Sequence, residues 1–71
     1  MVVRVDSLDV IGMSRWLEEN VGELVSYHKI RSSGVDWEIL GWFTVDDDSL
    51  LETRVRIDDE RLATLFLLRW A

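Results

Sequence analysis

The sequence predicts a small α+β protein: a two-layer sandwich in the order β-α-β-β-β-α, with both helices on one face of a mostly antiparallel sheet. Three observations lead there. Apolar residues recur at helical spacing over residues 10–21, they alternate with polar ones through most of residues 24–57, and a dense apolar run closes the chain at residues 62–70. At 71 residues the chain is expected to be a single domain over residues 1–71, with no room for a second.

Val2, Val3 and Val5, interrupted by Arg4, predict a short opening strand. Asp9 stands where an N-cap belongs, ahead of Val10, Ile11, Met13, Trp16, Leu17 and Val21, which recur over about three helical turns. Asn20-Val21-Gly22 supplies the stop, with Gly22 expected in the left-handed conformation that closes many helices. From Leu24 to Arg31 the period falls to two, which predicts a strand, and Ser32-Ser33-Gly34 reads as a turn. Val35, Trp37, Ile39, Phe43 and Val45 then share one face of the next strand, with Gly41 in step among them. Its other face is Asp36, Glu38, Leu40, Trp42 and Thr44. After a polar turn over residues 46–49, Leu51, Thr53, Val55 and Ile57 alternate with Leu50, Glu52, Arg54 and Arg56 in a returning strand.

Both inward sets of this hairpin are odd-numbered, so its loop must hold an odd number of residues. A three-residue loop pairs Val45 with Ser49 and sets Glu38 opposite Arg56. A five-residue loop pairs Val45 with Leu51 and sets Trp42 opposite Arg54, a cation–π arrangement. Asp58 is the N-cap expected for the last segment, with Asp59 and Glu60 suiting the positive end of a helix dipole. Leu62, Ala63, Phe66, Leu67 and Trp70 cover one broad helical face, while Leu65 and Leu68 fall opposite, among Arg61, Thr64 and Arg69. A strand over residues 64–70 is the competing assignment.

A chain this short buries only about 60% of its unfolded surface, so the four Trp, two Phe and one Tyr carry much of the core. The absence of Cys removes disulfides, thiolate metal ligands and a thiol nucleophile, and a single His leaves no imidazole-based metal site. No apolar run approaches the roughly 20 residues that span a bilayer, and the N-terminus has no signal-like apolar stretch. A soluble, cytoplasmic protein is expected.

The net charge of −6 is unevenly placed. Residues 1–35 hold five acids and four bases, whereas residues 36–60 hold nine acids against Arg54 and Arg56, that is −1 and then −7; Arg61 and Arg69 return +2. With one Lys in the chain, direct nucleic-acid binding is disfavoured, and a basic protein partner is the electrostatic complement. The competing reading takes these acids as turn, cap and solubility residues.

Three blocks, Trp16-Leu17-Glu18-Glu19-Asn20-Val21-Gly22, Gly34-Val35-Asp36-Trp37-Glu38-Ile39 and the run of residues 58–70, together 26 of the 71 residues, resemble segments of small bacteriophage-encoded proteins of unknown function. The resemblance implies a role in handling the host and carries no catalytic signature.

Asp46-Asp47-Asp48 offers clustered carboxylates but lacks the alternating oxygen ligands, Gly and terminal Glu of a calcium loop, so a turn is expected. His28 has no Ser or Cys motif beside it and reads as a strand residue. Asp36 and Glu38 lie two apart on one strand face, the direction paired acid and base work requires, yet no loop is long enough to enclose them. The four Gly are isolated, so no phosphate-cradling loop exists. No enzymatic activity, cofactor or metal is therefore expected.

What one small core leaves over is apolar surface: Leu40 and Trp42 on the outer sheet face, Leu65 and Leu68 on the outer helix face. The expected function is a non-enzymatic interaction module, a phage-encoded protein that binds and modulates a host protein. Its partner-binding residues would be Leu40, Trp42, Arg54, Leu65, Leu68, Asp46, Asp47 and Asp48. The alternatives are a homodimer through the same sheet face with no foreign partner, and an acidic DNA mimic.

Overall fold

A computed structural model describes residues 1–46 and 50–70. Its elements are β1 (Val2–Val5), α1 (Val10–Asn20), β2 (Leu24–His28), β3 (Arg31–Gly34), β4 (Trp37–Val45), β5 (Leu50–Ile57) and α2 (Glu60–Trp70). All neighbouring strands are antiparallel, in the order β1-β5-β4-β3-β2. The α+β class holds, with one strand more than the sequence suggests.

The extra strand comes from the segment read as one strand over residues 24–31. Lys29 takes φ +54° and turns the chain, so His28 pairs with Arg31 across a two-residue loop. Ser32 and Ser33, expected in a turn, instead pair with both neighbours: Ser32 with Tyr27 and Ile39, Ser33 with Ser26 and Glu38. Small polar residues gave no strand signal of their own. Here the flanking strands supply the ladder.

The core lies between one sheet face and the two helices. Val3, Val5, Trp37, Ile39, Val55 and Ile57 point into it from the sheet, Val10, Met13 and Leu17 from α1, and Ala63 and Phe66 from α2. An edge-to-face contact between Trp16 and Phe66, with ring centroids 5.7 Å apart, joins the helices. α1 packs mainly on β2, β3 and β4, and α2 on β1 and β5. Covering five strands takes both helices, which is why the closing segment is a helix.

Helix ends follow side-chain chemistry. Asp9 caps α1 by accepting from the Gly12 N–H at 3.0 Å. At the other end Val21 N–H and Gly22 N–H both donate to the Leu17 carbonyl. Gly22 does not adopt a left-handed φ, contrary to the expectation. Its Cβ is excluded for another reason: a methyl there would collide with the Val35 carbonyl, because β3 and the loop after it run against this corner. α2 is capped by Asp59 and not by Asp58, since the Asp59 carboxylate accepts from the N–H groups of Arg61 at 2.8 Å and Leu62 at 3.3 Å.

The largest departure is in β4. Ile39 pairs with Val55, but the next pair is Gly41 with Arg54, so Leu40 is an extra residue in a β-bulge. Gly41 has φ +120°, a conformation L side chains rarely adopt. Beyond the bulge the parity of β4 is inverted: Trp42 pairs with Thr53, Phe43 with Glu52 and Val45 with Leu50. Glu38 does pair with Arg56, as the shorter loop required, yet Val45 pairs with Leu50, which leaves an even number of residues between them. An even loop and an odd register coexist because the bulge absorbs one residue.

Candidate interaction surface

The open face of the sheet, opposite the helices, is held by charge pairs. Glu52 is buried there although it carries a carboxylate: Arg54 Nε lies 2.8 Å from its Oε2 and Arg4 Nε 3.9 Å. The Arg54 guanidinium stacks 4.3 Å over the Phe43 ring. Arg56 reaches Glu38 at 3.7 Å and binds Asp58, whose carboxylate, by hydrogen bonding, holds the guanidinium pKa above its ordinary value. These arginines spend their charge on neighbouring carboxylates.

Leu40 lies half-buried at the bulge. Trp42 does not join it on the open face: paired with the buried Thr53, it lies on the helix side, 37% exposed. The Trp42–Arg54 pair is likewise replaced by Phe43–Arg54. The expected patch of Leu40 with Trp42 is therefore divided between two faces of the sheet, and the physical reason is the single extra residue in β4.

A different apolar surface takes its place. Burial falls off along β4 and β5 toward the hairpin turn, where Trp42 and Leu51 (38% exposed) lie on the helix side and Leu50 (64% exposed) and half-buried Val45 on the other. Leu8, 39% exposed, belongs to the β1–α1 segment that is tied to this hairpin by the Thr53 hydroxyl, which donates to the Ser7 carbonyl at 2.6 Å. Asp46, exposed with φ +51°, ends β4 at this tip. Asp47 and Asp48 lie outside the described residues. Leu50 and Leu51 were missing from the expected interface because alternation alone places Leu51 in the core; nothing in the pattern tells that the hairpin outruns the helices.

Leu65 and Leu68 are exposed on α2, at 51% and 77%, as the helical wheel requires. They lie on the helix that packs on β1 and β5.

The acids also separate. Asp36, which takes φ +69° in the β3–β4 turn and so does not share a strand face with Glu38, lines a cleft of about 330 Å³ with Asp58, Asp59, Val21 and Leu62. Two of its three carboxylates are already engaged, Asp58 with Arg56 and Asp59 in capping α2. His28 is exposed on β2. Among the described residues no group of three His, Cys, Asp or Glu is placed to hold a metal ion, and no helix is long and apolar enough to cross a membrane. Comparison with protein-family models, curated proteins and solved structures gives no match.

Proposed function

We propose that this chain is a non-enzymatic protein-binding module whose anchor is the free end of the β4–β5 hairpin. The observation that carries the reading is the joint exposure of Trp42, Leu50 and Leu51 on a two-stranded projection beside Asp46. An aromatic anchor with Leu51 on its own face, Leu50 at the same hairpin end and the Asp46 carboxylate at the rim suits a partner with an apolar socket in a basic surface. The resemblance to phage-encoded proteins supports a host protein as that partner, bound in order to modulate it.

The test is capture of a host protein by the immobilised chain, compared between wild type and Trp42→Ser. Expected is the loss of one specific partner by tenfold or more, about 1.4 kcal/mol, with an unchanged thermal melt. The association rate should also fall as salt rises past about 0.15 M, where the Debye length is about 8 Å. Capture that is equal for both proteins would remove the anchor, and a salt-independent association rate would remove the basic partner.

A further inference from the structure

The opposite end of the sheet carries a second unpartnered feature. β2 is an edge strand, and every residue in it except Leu24 is exposed, with Val25 at 72% and Tyr27 at 47%. Sheets protect such edges with Pro, lysines or carboxylates within the strand; Leu-Val-Ser-Tyr-His contains none of these. Its protection is a bulge between Leu24 and Ser26, which shortens the flat edge without closing it.

The charges at the two ends of this strand are opposite. Glu23 precedes it, beside the end of α1 that bears Glu18 and Glu19, while Lys29 and Arg31 follow it. A strand acidic at one end and basic at the other is complementary to itself when reversed. Laid antiparallel on its own copy about Ser26, each strand sets its acidic end beside the basic end of the other. Glu23, just before the strand, then lies near the partner's Lys29, just after it.

We propose that β2 pairs antiparallel with β2 of a second copy of this chain, about a two-fold axis at Ser26, so that two five-stranded sheets become one of ten strands. The axis is perpendicular to the sheet and keeps both pairs of helices on the same side. It brings the two copies of α1 together above the seam. There an open groove of about 210 Å³ along each edge, lined by Ile11, Ser14, Arg15, Glu18, Leu24 and Tyr27, is covered by its counterpart. Arg15 and Glu18, one turn apart on that rim, face the partner's Glu18 and the partner's Arg15. A ladder this short buries less than stable dimers do, so the association is weak and concentration-dependent.

Sedimentation equilibrium from about 10 µM to about 1 mM tests it, a range that spans weak dissociation constants. The wild type should show a monomer–dimer equilibrium. Glu23→Lys and Lys29→Glu should each weaken it by about tenfold or more, since the symmetry turns two attractive pairs into two repulsive ones. The double variant Glu23→Lys/Lys29→Glu should return to within about threefold of wild type, because the reversed charges again face opposite ones. Thermal melts of the three variants, all changed at exposed positions, should match the wild type. A monomer at every concentration overturns the proposal, as does a dimer indifferent to single charge reversal or a double variant no better than the singles. A dimer lost in Trp42→Ser but unaffected at residues 23 and 29 would place self-association at the hairpin tip, overturning the edge while leaving the anchor in use.

Discussion

The Trp37 indole N–H donates to the Gly22 carbonyl at 2.7 Å, fastening β4 to the corner where α1 ends. Trp37 is fully buried, pairs with Gly34 on one side and Ile57 on the other, and so touches three successive parts of the fold. Trp37→Phe keeps most of the ring but leaves that carbonyl without its donor, which should cost about 1–3 kcal/mol. Trp37→Ala adds a cavity and should cost about 3–5 kcal/mol, close to the whole stability of a domain this small. Urea titration of both variants checks the order. Equal losses would mean that packing alone, and not the hydrogen bond, holds the corner.

The start of α2 separates two adjacent aspartates. Asp59 accepts from two backbone N–H groups, whereas Asp58 binds the exposed Arg56 side chain. Capping is worth about 1 kcal/mol, and an exposed ion pair typically less. Asp59→Ala should therefore lower stability by about 1 kcal/mol and Asp58→Ala by only a few tenths, measured by thermal melts at fixed pH. The reverse order would move the helix start back by one residue.

Much of this architecture is legible in the sequence. The periodicities of α1 and α2 place Met13, Leu17 and Phe66 in the core, and Asp9 marks the first helix start. Alternation also places Trp37, Ile39, Val55 and Ile57 correctly. What failed was counting by twos through Gly41. A glycine inside a strand pattern is a sign of a bulge, and reading it so would have turned Trp42 and Phe43 to their true faces. The β2–β3 turn gave less warning, because Lys29 adopts its positive φ without being Gly, Asn or Asp. The interaction surface was least legible of all. Whether Leu51 is core or surface depends on how far the helices extend over the hairpin, a property of the assembled layers.

Ser14 and Ser32 form the polar tie between α1 and β3. Their hydroxyl oxygens are 2.7 Å apart, and both side chains are buried. Such a pair is worth little net, because in the unfolded chain each hydroxyl is satisfied by water; removing one partner is costly, since the other stays buried with nothing to bond. Ser14→Ala and Ser32→Ala should each destabilise by about 1–2 kcal/mol. The double variant should fall well short of the sum and approach either single, giving a coupling of about 1 kcal/mol. Denaturant unfolding of the four proteins closes the cycle. Strict additivity would show that the two hydroxyls act independently, and that the contact holding α1 over β3 is the apolar packing of Met13 and Leu17 alone.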